Sequence, residues 1–284
     1  MATRLAALIV FAWLCQLTVV AGREPRLKDV VSRLQAYLTI YEAELSTLVA
    51  EEEYEQSVNS TSGPPTIRRT LTSDFGFMRL PGRPEWLGLR DTFLVDGQPV
   101  PDHQRRLDRL LSEAPSHPEE FARRIVDENA RYNLGFIART INVPMLALDL
   151  LGPRNGDRLS FQKRAEEDLD GRTVWTVTFR ERERPTLVRT PDGRSRPARG
   201  TVWIDPADGA VLRTDVEFDP VTRGDAPAAR ITVLYRREDT LGLLVPYEMR
   251  EVYRMERSAD APEEIAAVAR YSKFRQFRTS ARIR

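Results

Sequence analysis

From about residue 157 onward, apolar and polar residues alternate in short runs separated by turn signals. Trp175, Val177 and Phe179 share one side of a run, opposite Val174, Thr176 and Thr178. Leu212, Thr214, Val216 and Phe218 alternate with Arg213, Asp215 and Glu217. Ile231, Val233 and Tyr235 repeat the pattern, as do Tyr247, Met249 and Tyr253. A period of two is that of a pleated strand with one buried face. Asp170-Gly171 and Asp208-Gly209 separate such runs, and Asp96-Gly97 and Asp192-Gly193 repeat the dipeptide. Asp-Gly tolerates the positive φ of a tight hairpin. The pattern predicts strands over residues 172–181, 200–205, 210–219, 230–237 and 244–255, pairing largely in sequence order.

The beginning of the chain has a different period. Leu27, Val30, Val31, Leu34, Tyr37, Leu38, Tyr41, Leu45 and Leu48 recur at steps of three and four, without Gly or Pro between them. That spacing predicts one long amphipathic helix with its stripe against a sheet. Residues 57–65 (SVNSTSGPP) predict a loop, followed by extended runs over 66–80 and 86–95. Helices return over 104–151: one from Gln104, a second opened by His117-Pro118-Glu119-Glu120 and running to about Asn133, and a third from Pro144 behind Asn142 as a cap. The early β runs need partners, and the later meander supplies them. The expected fold is therefore a single α+β domain over 23–284. Its curved antiparallel sheet, an incomplete barrel, wraps over the long helix and a helical insertion at about 104–151, with the meander at about 157–284.

Composition adds a compartment. Residues 5–20 are apolar apart from Gln16 and Thr18, and Ala21-Gly22 precede the charged Arg23-Glu24. That is the order of a secretory signal peptide spanning 1–22, with an uncleaved anchor as its rival. Cys15 is the single cysteine and lies inside that leader, so the remainder carries no disulfide and no thiolate. Basic and acidic residues nearly cancel, 43 against 42, which disfavours a nucleic-acid partner. Lysine occurs only at 28, 163 and 273, an arginine bias typical of a GC-rich bacterial genome. A periplasmic or extracellular bacterial protein is expected.

Motifs for catalysis are absent: there is no Gly-rich phosphate loop and no GxSxG elbow, and His103 and His117 are the only histidines. No enzyme activity, metal or cofactor is expected. The densest polar cluster contains Arg131, Asn133, Arg139 and Asn142, which are expected to converge where the insertion meets the sheet. They either grip an anionic group or cap helix ends. The aromatic stripes supply the other surface. Trp175, Phe179, Trp203, Phe218, Tyr235, Tyr247 and Tyr253, with Arg131 and Arg139, are the candidate ligand-binding residues. Such stripes are ordinary core, or they line an apolar cleft if the helices fill the curved sheet incompletely.

The segments Gly200-Thr-Val-Trp-Ile-Asp-Pro206, Asp208-Gly209 and Val211-Leu-Arg213, with the closing hairpin, resemble the periplasmic lipoprotein-carrier (Lol-type) architecture. Leu71-Thr-Ser-Asp-Phe75, Ala130-Arg-Tyr-Asn-Leu-Gly135, Arg139-Thr-Ile-Asn-Val-Pro144 and Arg270-Tyr-Ser-Lys-Phe-Arg275 look like a group of secreted bacterial proteins of unknown function. The first resemblance implies non-enzymatic binding of a lipid or other apolar molecule in the hollow of the sheet. The alternatives are an envelope protein–protein interaction module and, less favoured, a hydrolase.

Overall fold

The computed structural model describes residues 24–60, 65–79, 86–112, 118–135, 139–169, 171–190, 192–221, 226–256 and 262–276. The leader, Asp170 and His117 lie outside the described residues. Helix α1 (Leu27–Leu45) is followed by strands β1 (Leu48–Ser60), β2 (Pro65–Arg79), β3 (Trp86–Val95) and the short β4 (Gln98–Pro99). Helices α2 (His103–Ser112), α3 (Pro118–Ala130) and α4 (Leu146–Leu151) come next. The chain then runs through β5 (Leu159–Leu169), β6 (Arg172–Glu181), β7 (Ala198–Ile204), β8 (Val211–Phe218), β9 (Ala228–Glu238), β10 (Leu243–Glu256) and β11 (Pro262–Gln276).

The strands form one antiparallel sheet of 11 in the order β4-β3-β2-β1-β11-β10-β9-β8-β7-β6-β5. Strands β5 to β11 are neighbours in sequence order, as the alternation predicts. The single non-local join is β1 against β11, where Tyr54 lies opposite Ala269 and Val58 opposite Ile265. Strands β4 and β5 remain edges, so the curved sheet is an incomplete barrel.

Helix α1 fills the concave side. Val30, Leu34, Leu38, Tyr41 and Leu45 are buried in one continuous core with Trp175, Val177, Phe179, Val216, Phe218, Ile231, Val233 and Tyr235. Each fully buried aliphatic side chain there contributes roughly 1.5–3 kcal/mol. The turn before β8 locks onto the helix. Gly209 has φ +83°, and a Cβ on it would stand 2.3 Å from the Arg33 carbonyl carbon, so only glycine lets the turn approach so closely. Arg33 Nη1 donates to the Pro206 carbonyl at 2.6 Å across the same contact.

The helical insertion divides between two places. Ala147, Leu148, Leu150 and Leu151 of α4 join the concave core. Helix α3 instead packs Phe121 and Ile125 on Leu89, with Met78 and Leu87 beside them. Asn129 of α3 also completes the open edge of β3: its Nδ2 donates to the Gly88 carbonyl at 2.5 Å, and its Oδ1 accepts from the Arg90 amide at 2.7 Å. A side-chain amide thus substitutes for a missing strand partner.

Local differences from the sequence expectation have identifiable causes. The long helix stops at Leu45 rather than Leu48, and residues 57–60 are strand rather than loop. Both follow from β1, whose inward row is Ala50, Glu52, Tyr54, Gln56 and Val58. Two acidic or amide side chains in that row hide its period of two. Helix α3 ends at Ala130, short of Asn133, while Gly135 holds a left-handed φ of +85°. Helix α4 begins at Leu146, and Asn142 is buried against the sheet rather than placed at its cap.

Candidate functional site

The concave face carries an unusual polar island within its apolar core. From β1 come Glu52, Tyr54 and Gln56, from β3 Arg90, from β10 Glu251 and Tyr253, and from the covering segment Arg139 and Asn142; all are buried. Alternation places the strand residues inward, and the loop after α3 lowers Arg139 and Asn142 onto them.

Arg139 Nη1 donates to the Tyr54 hydroxyl at 2.8 Å, and its Nη2 donates to Gln56 Oε1 and, at 3.5 Å, to the Leu134 carbonyl. The Leu134 amide donates to the same Gln56 oxygen at 3.0 Å. The guanidinium lies 5.7 Å from the Tyr54 ring centre and 5.9 Å from that of Tyr253. The Asn142 amide, oriented to satisfy both its ends, donates to the Arg139 carbonyl at 2.8 Å and accepts from Arg90 Nη1 at 3.2 Å. Arg90 pairs in bidentate fashion with Glu52, its Nη2 reaching Oε1 at 2.8 Å. Glu251 accepts from the Tyr253 hydroxyl at 2.7 Å.

The electrostatics follow from burial. Burial by itself disfavours the Arg90 cation, and the Glu52 carboxylate more than restores it, so Arg90 is held firmly charged. Burial pushes the Glu251 carboxyl above its ordinary value, against the opposing pull of Arg139. Burial likewise raises the Tyr54 and Tyr253 hydroxyls, which remain protonated at neutral pH. Arg139 therefore meets the sheet through neutral acceptors, a tyrosine hydroxyl, an amide oxygen and a carbonyl. The arrangement anchors the covering segment to the sheet. Among the described residues no three His, Cys, Asp or Glu side chains gather into a metal-binding group.

The sequence candidates separate into three sets. Trp175, Phe179, Phe218, Tyr235 and Tyr253 lie together on the inner face, each at most 4% exposed. The Tyr235 hydroxyl donates to the Pro144 carbonyl at 2.9 Å, another anchor for the cover. Trp203 lies on the outer face instead, donating to Glu167 at 3.2 Å with the Arg213 guanidinium 4.4 Å above its ring. The cause is pleat parity, since Val202 and Ile204 take the inward positions on either side of it. Tyr247 occupies a register shift in β10 between Pro246 and Glu248, with Arg236 at 5.3 Å from its ring. That bulge breaks its phase with Met249 and Tyr253.

The expected convergence of four polar residues is corrected in part. Arg139 and Asn142 meet, but Arg131 turns away and pairs with Glu128 of its own helix at 2.7 Å. Glu52, Gln56, Arg90 and Glu251 were missing from the sequence candidates. Their one signal is position: Glu52 and Gln56 alternate with Ala50, Tyr54 and Val58, and Glu251 lies between Met249 and Tyr253.

The expected apolar cleft is occupied by α1 and residues 139–151, and the inner aromatic residues are in contact with them. Three open depressions, of about 540, 630 and 880 Å³, lie at the surface away from this face. No described helix is long and apolar enough to cross a membrane.

No protein-family model matches this sequence, and no curated protein matches it. Several solved structures show a weak overall likeness. One is a Vibrio parahaemolyticus domain with a proposed role in outer membrane lipoprotein sorting, at 12% identity over 87% of this chain and 93% of that one, with a TM-score of 0.42. A DUF1329 family protein from Desulfovibrio piger matches at 12% identity over 89% and 95%, with a TM-score of 0.37. Lipovitellin, from a study of its lipid–protein interactions, matches at 9% identity over 83% of this chain and 26% of its own, with a TM-score of 0.31. At these scores the likeness is one of architecture alone, with no information on ligand or activity.

Proposed function

We propose that this chain is a non-enzymatic carrier of the bacterial cell envelope, exported by its 1–22 leader, that takes a lipid or other apolar molecule against the concave face of its sheet. In this reading residues 23–284 act as one α+β domain. The observation that carries the proposal is the division of labour on that face. A broad aromatic and aliphatic surface is built by the strands, while its cover over residues 139–145 adds the polar contacts of Arg139, Asn142 and Pro144 to the packing of Ile141, Val143 and Met145. Apolar surface is a sink for any acyl chain, and polar anchors re-form with water when a cover lifts, at a net cost of about 1 kcal/mol for a neutral contact and about 1.5–3 kcal/mol for the charged Arg139 contacts. A ligand enters by replacing the cover, because the inner aromatic residues leave no free space beneath it.

The test is extraction and mass spectrometry of lipids from protein purified natively from its envelope, together with titration of the delipidated protein by 11-(dansylamino)undecanoic acid. Bound lipid and a saturable rise in dansyl fluorescence are expected. A lipid-free preparation that leaves the probe unchanged overturns the reading. Co-purification of a stoichiometric protein in its place establishes the envelope-interaction alternative.

A further inference from the structure

The outer face of the sheet carries a second feature. A groove of about 630 Å³ crosses β5, β6, β7, β8 and β9 and is bordered by Arg164, Arg180, Arg182, Arg199 and Arg230 against two acids, Asp215 and Glu217. Register explains how it forms. Gln162, Thr178, Thr201 and Asp215 stand opposite one another across β5 to β8, giving a floor of short polar side chains. The next row is Ser160, Arg180, Arg199, Glu217 and Arg230, which makes one long-armed wall. Arg164, the extra residue where β5 shifts register, rises on the other side and donates to Thr178 Oγ1 at 3.2 Å.

The charge balance here differs from the rest of the outer face. Towards β10, β11 and β1 cations meet acids across strands, Arg254 with Glu264, Arg270 with Glu55, and Lys273 with Glu51, while Arg213 and Arg236 lie over the rings of Trp203 and Tyr247. In the groove, Arg230 engages Asp215 and Arg199 engages Glu217 and Asp219. Arg180 and Arg182 make no ion pair among the described residues, and Arg164 makes only its threonine contact. Arg180 also stands directly opposite Arg199 in register, a like-charge pair that disfavours the sheet. Asp219, which bonds Arg199 and also attracts Arg180, offsets this pair only in part, and a local rule left partly unmet inside the chain is what a ligand site looks like.

We infer that this groove binds a phosphate-bearing anion. Guanidinium forks match the paired oxygens of a phosphate, and threonine hydroxyls complete its coordination from below. An anion there offsets the excess of the five arginines over Asp215, Glu217 and Asp219 and bridges Arg180 and Arg199. The phosphate belongs either to a small soluble compound or to a lipid headgroup, and the chemistry of recognition is common to both.

The experiment uses the full mature chain. Sodium pyrophosphate is titrated calorimetrically at low salt into the wild type, the double variant Arg164→Gln/Arg180→Gln and the control Arg237→Gln, with flotation on phosphatidylglycerol and phosphatidylcholine vesicles in parallel. Saturable pyrophosphate binding, weakened at least about tenfold in the double variant and unchanged in the control, is expected; tenfold corresponds to about 1.4 kcal/mol. All three residues are solvent-exposed, so the melting temperatures of the unliganded proteins should agree. Binding to phosphatidylglycerol vesicles without pyrophosphate binding, lost in the double variant, assigns the phosphate to a lipid headgroup. No binding of either probe, or equal binding by the double variant, overturns the inference.

Discussion

Arg90 of β3 reaches across β2 to form a bidentate pair with Glu52 of β1, with both side chains at most 1% exposed. The intervening inward position on β2 is Ser73, paired in register with Glu52 on one side and Thr92 on the other. Ser73 is short, and its hydroxyl lies 3.1 Å from that of Thr92, which leaves the space above it to the guanidinium. The Tyr54 ring, 4.5 Å from the guanidinium carbon, closes the pair off from water. A buried pair is costly to break because the survivor keeps its charge in a medium that solvates it poorly. Glu52→Ala or Arg90→Ala alone should therefore cost about 3–5 kcal/mol. The double variant Glu52→Gln/Arg90→Met should recover a large part of that loss. Chemical denaturation of the three variants checks this, and strictly additive losses would contradict it.

Arg139→Ala removes the main polar anchor of the cover, takes the guanidinium donor from the Tyr54 hydroxyl and leaves the Gln56 oxygen with the Leu134 amide alone. The expected loss is about 1.5–3 kcal/mol, the worth of a charged hydrogen bond, seen as a drop of several degrees in melting temperature. Under the proposed carrier function the same change loosens the cover, so dansyl-fatty-acid uptake should become faster as stability falls. Weaker uptake at unchanged melting temperature would show that Arg139 holds the ligand instead.

Glu251 sets a pH dependence. Its carboxyl is raised above the ordinary 4.5 by burial, so the folded protein holds that proton more tightly than the unfolded chain does. The stabilisation from this proton is complete below 4.5 and is lost as pH rises through the folded-state value. Glu251→Gln keeps the shape and removes the titration. The variant should melt close to the wild type at pH 4 and above it at pH 8. A variant that is less stable than the wild type at pH 8, by the gap seen at pH 4, refutes this account.

Asn129 is predicted to control the β3 edge. Asn129→Ala leaves the Gly88 carbonyl and the Arg90 amide without partners, and each buried orphan costs about 1–3 kcal/mol. Hydrogen exchange at the Arg90 amide should accelerate by at least about tenfold, while amides in β8 and β9 keep their protection. Unchanged exchange at Arg90 would mean that α3 does not complete that edge.

What the sequence determined by itself was local. The period of two placed β6 at its observed bounds and β8 and β9 within about two residues of theirs, because alternating side chains there meet one buried and one wet face. The three- and four-residue spacing from Leu27 placed α1, and Asp208-Gly209 placed its turn, since these signals depend only on neighbours along the chain. Tertiary structure decided what depended on distant partners. Strand β1 was obscured because Glu52 and Gln56 read as solvent-facing until Arg90 and Arg139, 38 and 83 residues away, are seen to neutralise or cap them. Trp203 and Tyr247 were assigned to the inner face, yet strand parity and a bulge turned them from it, since register is set by the neighbouring strand rather than by hydrophobicity. Arg131 and Arg139 look equivalent in sequence. One lies beside Glu128 at the exposed end of α3, and the other is carried by a loop into the core, a difference that only the packed chain creates.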